Sequence, residues 1–203
     1  MARQASGNQT SGNQEFQLRG INHLALVCSD MERTVDFYSN VLGMPLIKTI
    51  ELPFGMGQHF FFDIGNGDAL AFFWFPQAPP AAPGVASPRS LPAAGELTTA
   101  VASMNHVAFD VPADKIDEYL VKLRAKGIEA ADIMNHDDSE MGVSRRPHEG
   151  TFVRSIYFFD PDGILLEFAA WTRALRADDV RHAPARASDT RIRAARAEAE
   201  PAR

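Results

Sequence analysis

The sequence predicts an α+β protein in which two βαβββ modules form a curved mixed sheet. The first observation is an internal repeat, because residues 21–27 (INHLALV) and 104–110 (MNHVAFD) are both apolar, strand-length stretches that carry Asn-His at the same place. The second is that a segment with helical spacing of apolar residues follows each stretch and ends at Gly43 or Gly127. The third is that three further strand-like stretches follow each helix.

Each predicted element has a local reason. Asp30 can cap a first helix over 30–42, and the second helix is predicted over 113–126. Turn-forming residues divide the remaining apolar stretches, with Gly-Asn-Gly at 65–67 and Asp-Pro-Asp-Gly at 160–163. The strands of the first half are predicted at 45–51, 58–64 and 69–75, and those of the second half at 128–135, 151–159 and 164–170.

Composition divides the rest of the chain. A polar segment at the start is predicted to be disordered, a Pro/Ala-rich segment is predicted to link the modules, and an Arg/Ala-rich end reads as a tail without chemistry. The predicted boundaries are 1–17 for the disordered segment, 18–76 for the first module, 77–101 for the linker, 102–171 for the second module and 172–203 for the tail.

The overall composition excludes several classes of function. Hydrophobic residues make up 45% of the chain, and the net charge of -6 argues against nucleic acid as a partner. With Cys28 as its one cysteine, the chain can form no internal disulfide, which suits a reducing cytoplasm. The apolar stretches are too short to span a membrane, so we expect a cytoplasmic protein without a membrane partner.

Three side chains are candidate metal ligands. A single strand histidine is more often structural than a ligand, but His23 and His106 occupy equivalent positions of a repeat, which favours a shared site. Glu167 lies within an apolar strand, where a carboxylate is costly to bury without a partner, although an exposed strand position is the alternative. Two histidines and one carboxylate suit a divalent ion, with Fe(II), Mn, Zn, Ni and Co as candidates.

With these residues the chain resembles the vicinal oxygen chelate superfamily, which includes glyoxalase I, epimerases, fosfomycin-modifying thiol transferases, drug-binding proteins and type I extradiol dioxygenases. The resemblance covers about residues 18–171 and implies a glyoxalase/extradiol dioxygenase-like fold. Glyoxalase-like members have a further ligand on the last strand of the first module. Matching 69–73 to 164–168 puts Phe72 at that place, and a phenyl ring cannot ligate. The remaining set of three ligands is more similar to that of the extradiol dioxygenases.

A longer pattern resembles the extradiol dioxygenase signature. His148 is followed by Tyr157, the turn at 160–163 and Glu167 at the expected spacings, although Arg146 departs from the pattern. By this resemblance, His148 and Tyr157 are catalytic and hydrogen-bond the substrate or bound oxygen. The acid-base histidine of those enzymes has no counterpart near residue 68. His59, His136 and Asp68 stay open as replacements for it.

The resemblance implies an Fe(II)-dependent ring-cleaving dioxygenase that acts on an aromatic diol with O2 and forms a homodimer. About half of the aromatic residues at 60–62 and 72–75 are expected to line its pocket, because alternate strand residues face opposite ways. Two alternatives stay open. One is a lyase, isomerase or epimerase of glyoxalase type, and the other is a non-catalytic binding protein.

Overall fold

Two β-sheets, one from each half of the repeat, form the framework of the computed structural model, which describes residues 18–92, 95–177 and 179–187. The predicted disordered segment 1–17 and most of the tail's end lie outside these ranges. The first sheet contains β1 (His23–Cys28), β2 (Leu46–Leu52), β3 (Gly57–Asp63) and β4 (Ala69–Trp74). The second contains β5 (Val107–Asp110), β6 (Met134–His136), β7 (Val143–Ser144), β8 (Val153–Phe159) and β9 (Leu165–Trp171).

The two sheets have the same topology apart from one added strand. The strand order is β1-β4-β3-β2 in the first sheet and β5-β9-β8-β6-β7 in the second. In each sheet the first strand is parallel to the last long strand, and the other pairings are antiparallel. The predicted pair of βαβββ modules is therefore confirmed. Both β1 and β5 are edge strands, so each leaves one row of backbone groups unpaired within its sheet.

One helix accompanies each sheet. The Asp30 carboxylate accepts the Arg33 N–H at 3.0 Å, which confirms the predicted cap of α1 (Met31–Val35). The helix continues as a wider π-helical turn over Asp36–Val41, which the sequence did not indicate. The second helix, α2, spans Ile116–Ala125. Within the described ranges, no helix is both long and apolar enough to cross a lipid bilayer.

The predicted strand at 128–135 is mostly wrong. Only its end belongs to β6, and the additional short β7 pairs with it. Ahead of β6 this segment pairs with β8 only through an isolated antiparallel bridge between Ala130 and Phe158. The Arg124 guanidinium holds the same segment against α2, because it donates to the Ala130 carbonyl at 3.0 Å and to the Asp132 carboxylate at 2.7 Å.

The two modules pack through their helix-bearing sides into one buried cluster that contains residues of both. The Asp-Pro-Asp-Gly turn of the second module reaches the first helix. The Tyr38 hydroxyl donates to Asp160 Oδ2 at 3.1 Å, and the Ser29 hydroxyl donates to Asp162 Oδ1 at 2.6 Å. In the predicted linker, the Ser87 hydroxyl donates to the carbonyl of Gly163 in the same turn, at 2.6 Å.

Each sheet therefore keeps one face away from the helices, which we call its open face. Strand register places His23, His59, Phe61 and Phe73 on the open face of the first sheet. Phe75 stacks on Phe73. The aromatic side chains that pack towards the helix instead are Phe60, Phe62, Phe72 and Trp74. The expected division of the aromatic residues is confirmed.

The described residues from Ala174 onward belong to a unit separate from the two modules. In its described part the Arg176 N–H donates to the Asp179 carboxylate at 2.5 Å.

Candidate metal centre

The second sheet brings two of the three predicted ligands together on its open face. His106 stands just before β5, and Glu167 lies on the adjacent β9, where it pairs in register with Ala108. His106 Nε2 and Glu167 Oε2 are 2.9 Å apart. The Glu167 side chain is 7% exposed and that of His106 is 35% exposed, so the pair is anchored in the sheet and accessible from one side.

A neighbouring asparagine fixes how the His106 ring is presented. The Asn105 amide nitrogen donates to the Leu97 carbonyl at 2.7 Å, so its amide oxygen faces His106 Nδ1, which lies 2.9 Å away. That oxygen can only accept, so Nδ1 carries the proton and Nε2 of the neutral ring is a lone-pair acceptor. His106 Nε2 and Glu167 Oε2 are then two acceptor atoms 2.9 Å apart, and a positive charge between them is needed to hold them so close. A shared proton can supply that charge, and the same two atoms are suitable ligands for a divalent cation.

The charge state of Glu167 is suitable for a ligand. Burial alone would raise the pKa of this carboxyl, but hydrogen bonds from neighbouring side chains, that of His106 first, and the charge of His106 together outweigh burial and lower the pKa below its usual value. Glu167 is therefore an anion at neutral pH, and a buried anion needs a partner of opposite charge.

His23 has the same local arrangement but stands apart from the pair. Its Nδ1 lies 2.8 Å from the Asn22 amide oxygen, which leaves Nε2 available as it does in His106. Its ring neighbours, however, are His59 and Phe61 of its own sheet. Across the part of the chain that the structure describes, no three His, Cys, Asp or Glu side chains are grouped to hold a metal ion. Within one chain, His23 does not reach His106 and Glu167.

The match between Phe72 and Glu167 is wrong by one residue. Phe72 is fully buried on the helix side, where its ring packs against Tyr38. Register gives the true counterpart, because Ala25 pairs with Ala71 as Ala108 pairs with Glu167. The two adjacent phenylalanines made the alternation ambiguous in the sequence. Alanine cannot ligate either, so the first module still supplies no ligand from β4.

Tyr157 lies beside the pair. It faces Glu167 across the β8–β9 ladder, and its ring makes an edge contact with His106 at 5.8 Å between centroids. Its hydroxyl is 3.5 Å from Nε2 of His136. Burial, followed by the charge of Glu167, raises the pKa of Tyr157 well above its usual value, so the hydroxyl keeps its proton. His136, one of the residues left open as an acid-base group in the sequence analysis, lies next to Tyr157 in the structure.

His148 is placed differently from what its predicted role requires. Its Nε2 donates to Asp137 Oδ2 at 2.8 Å, and its Nδ1 accepts the Gly150 N–H at 3.0 Å. The Ser139 hydroxyl and the His148 ring hold the pKa of Asp137 well below its usual range. The contacts with Asp137 and Gly150 occupy both ring nitrogens of His148, and half of its side chain is exposed. Among the described residues, no hydrogen bond of His148 reaches Tyr157, His106 or Glu167.

Comparison with known proteins agrees with this geometry. Residues 20–168 match the family model described as the Glyoxalase/Bleomycin resistance protein/Dioxygenase superfamily, which is most of the chain. The chain belongs to this superfamily. The chain is also similar to the uncharacterized protein YwkD of Bacillus subtilis (strain 168), which is 27% identical over 150 residues, or 74% of this chain and 95% of YwkD. Another similar protein is metallothiol transferase FosB of Shouchella clausii (strain KSM-K16), which is 29% identical over 160 residues, or 78% of this chain and 85% of FosB.

Solved structures of the superfamily share the fold. A glyoxalase family protein from Enterococcus faecalis superposes with a TM-score of 0.52 at 24% identity, over 74% of this chain and 97% of that one. SMU.1112c superposes with a TM-score of 0.53 at 23% identity, over 75% of this chain and 99% of that one. These likenesses concern the fold alone.

Proposed function

We propose that this superfamily member is a divalent-metal-dependent enzyme whose site is completed by a second copy of the chain. His106 and Glu167 would come from one chain and His23 from the other. The observation that carries the proposal is the pair of acceptor atoms 2.9 Å apart on an accessible face, together with a matching histidine that its own chain leaves unused.

The free sheet edges support assembly from two chains. The two imidazoles stand at the start of β1 and just before β5, and both strands are at edges. An exposed edge strand tends to pair with another chain. If β1 of each chain lay along β5 of the other, a twofold dimer with two equivalent sites would result.

The residues of the site have distinct roles in this proposal. A divalent ion held by His23, His106 and Glu167 would act as a Lewis acid towards an oxygen atom of the substrate. Asn22 and Asn105 each engage Nδ1 of the neighbouring imidazole, which leaves Nε2 to bind the ion, and Glu167 would balance the positive charge.

Proton transfer falls to the next pair of side chains. Tyr157 keeps its hydroxyl proton and can donate it to a developing negative charge on the substrate. His136, whose Nε2 is 3.5 Å from that hydroxyl, is the neighbouring side chain that can accept a proton. Burial lowers the pKa of His136, so the ring is neutral and able to accept at neutral pH.

A redox-neutral reaction, either proton transfer or group addition, fits these residues best. Tyr157 and His136 form a proton-transfer pair that needs no oxidant. The name of FosB, a transferase, supports the same class of reaction. Lyases and isomerases of glyoxalase type belong to this class, so the sequence alternative is now the leading reaction.

Extradiol ring cleavage of an aromatic diol, with Fe(II) and O2, is the second candidate. The pattern from His148 through Tyr157 to Glu167 favours it, because it is the signature of those enzymes. The engagement of His148 by Asp137 counts against it, since the ring would have to exchange that partner for substrate.

The two reactions predict opposite responses to oxygen. The chain is reconstituted anaerobically with Fe(II), Mn(II), Ni(II) or Zn(II), and oxygen uptake is followed with a panel of catechols. In parallel, turnover of a thiohemiacetal and of an epoxide with a thiol is followed without oxygen. We expect redox-neutral turnover with at least one ion and no oxygen uptake, and Tyr157→Phe should lower kcat without changing the metal content.

The opposite results are equally clear. Oxygen uptake restricted to Fe(II) or Mn(II), with a yellow product, would replace the redox-neutral reaction by ring cleavage. Metal and ligand binding without turnover of any substrate would identify a binding protein and end the enzymatic proposal.

A further inference from the structure

His59 lies on the open face of the first sheet and has no role in the proposed mechanism. The residue is only 8% exposed. Nδ1 is 3.1 Å from the Phe72 carbonyl oxygen, which can only accept, so Nδ1 carries the proton. In the neutral ring, Nε2 is therefore a hydrogen-bond acceptor with a fixed orientation.

The position of the ring is also fixed. It stacks on Phe73 with centroids 3.6 Å apart and planes 8° apart, and it meets the edge of Phe61 at 4.3 Å. Phe75 stacks on the far side of Phe73, with centroids 5.3 Å apart. The result is a row of flat rings that holds one polar acceptor. Such a row gives apolar contact to a planar molecule and one directional contact to a hydroxyl.

No residue in the described part of the chain hydrogen-bonds His59 Nε2. A buried acceptor without a partner is costly and uncommon. Unlike the sealed, unpaired hydroxyl oxygens of Ser39, Ser90 and Ser155, this nitrogen is still accessible from outside. An accessible, oriented and unpaired acceptor in an otherwise buried ring indicates a contact supplied by a ligand.

The location of His59 connects this acceptor to the metal centre. Its ring centroid is 6.4 Å from that of His23, which faces the same way. The charges of the open faces indicate the charge of the ligand. Among the described strand residues on the two open faces, Lys48 is the only lysine or arginine. A strongly anionic substrate such as a phosphonate would find few cationic partners there.

We infer that His59 Nε2 accepts a hydrogen bond from a hydroxyl group of the substrate, and that the substrate is a planar, uncharged, hydroxyl-bearing compound whose body lies along Phe61, Phe73 and Phe75. The inference rests on the proposed function, because the metal centre would hold the neighbouring oxygen atoms of the same molecule. His59 is then a specificity residue that discriminates by one hydrogen bond. A hydroxyl gains that bond, and a methyl ether at the same position leaves Nε2 unpaired.

The test compares two ligands that differ in one hydroxyl. Pyrogallol and 3-methoxycatechol share the vicinal pair of oxygens and differ only at the third position. Their dissociation constants are measured anaerobically by calorimetry on the Zn(II)-loaded chain. We expect the parent chain to bind pyrogallol about 10-fold more tightly, which is the size of one good hydrogen bond.

Two variants remove the acceptor in different ways. His59→Asn keeps a donor for the Phe72 carbonyl but has no atom at the place of Nε2, and His59→Phe keeps the stack on Phe73. Both should reduce the ratio of the two dissociation constants to about one while Zn(II) content stays that of the parent. An undiminished ratio in a folded variant, or no preference in the parent chain, overturns the inference. If the parent chain fails to bind Zn(II), the proposed function fails instead.

A measurement on the parent chain alone guards against variants that do not fold. ¹⁵N NMR of the ring nitrogens should show His59 in the tautomer with the proton on Nδ1, and pyrogallol should shift the Nε2 signal. A proton on Nε2 in the free chain, or an Nε2 signal that bound pyrogallol leaves unchanged, also overturns the inference.

Discussion

Replacing Glu167 with glutamine will weaken divalent metal binding by at least about 100-fold. Loss of a residue that only supports a ligand typically costs 10- to 100-fold, and Glu167 would itself be a ligand, the one that carries a negative charge. The amide keeps the shape of the side chain but removes that charge beside His106. The result therefore separates a metal ligand from a residue that fills space in the sheet.

Tyr157→Phe is the matched control for Glu167→Gln. Tyr157 faces Glu167 in the ladder and shares its surroundings, but the proposal gives it a proton rather than the metal. Equilibrium dialysis of both variants against Zn(II) and Mn(II) should give affinities near the parent value for Tyr157→Phe. If Glu167→Gln retains the parent affinity, Glu167 does not belong to the site.

Asp160→Asn will stabilise the chain above pH 6 and leave it unchanged near pH 4. Burial raises the pKa of Asp160 to about 6, against an ordinary value of 3.8, so the folded state favours the protonated carboxyl. Its contribution to stability is complete below about pH 4 and is lost as the pH rises through about 6. The difference between the two pKa values corresponds to about 3 kcal/mol in the free energy of unfolding. The parent chain loses this amount above pH 6, whereas asparagine is neutral at every pH and does not lose it.

Asparagine also preserves the contacts of the turn. The Oδ1 atom of Asp160 accepts the N–H groups of Asp162 and Ile164 at 2.9 and 2.8 Å, and an amide oxygen can do the same. At the place of Oδ2 the amide nitrogen would donate to the Tyr38 hydroxyl, which then accepts this hydrogen bond instead of donating it. The free energy of unfolding is measured in urea from pH 4 to pH 8 for both chains.

Asp132→Asn makes the same change in net charge at an exposed carboxylate and should have an effect within about 1 kcal/mol throughout. Parallel pH profiles for the parent and Asp160→Asn would contradict the assignment to Asp160.

The sequence predicted the parts of the site that depend on local pattern. The repeated Asn-His pairs and the isolated acidic residue of the last strand indicated the candidate ligands, of which the structure brings His106 and Glu167 together. What failed depended on long-range or side-chain detail. Phe72 was misplaced because neighbouring phenylalanines hide the alternation of a strand. Most of the strand predicted at 128–135 is a loop that Arg124 holds at the Ala130 carbonyl, a long-side-chain contact that strand periodicity does not reveal.

The separation of His23 from its predicted partners could not be read from one chain's sequence. A repeat indicates that two equivalent positions lie close together. The same repeat is expected whether the two modules that meet belong to one chain or to two chains. His148 illustrates a similar limit. Spacing placed it in a signature, whereas Asp137, close to β6, decides which way its ring points. In the sequence, His59 was one of three possible acid-base residues. Its role as an oriented acceptor depends on the Phe72 carbonyl and on the stack with Phe73, which the sequence does not reveal.

Complementation between two inactive variants tests the central claim most directly. His23→Ala and Glu167→Gln should each bind almost no Zn(II) alone. After the two are unfolded together and refolded as a mixture, half of the dimers are mixed. Each mixed dimer regains one intact site of two, so the mixture should bind about a quarter of the parent amount. A mixture of His106→Ala with Glu167→Gln should regain none, because both changes fall in the same half of the site. Recovery in the first mixture but not the second is the predicted result, and no recovery in either would contradict a metal site shared between two chains.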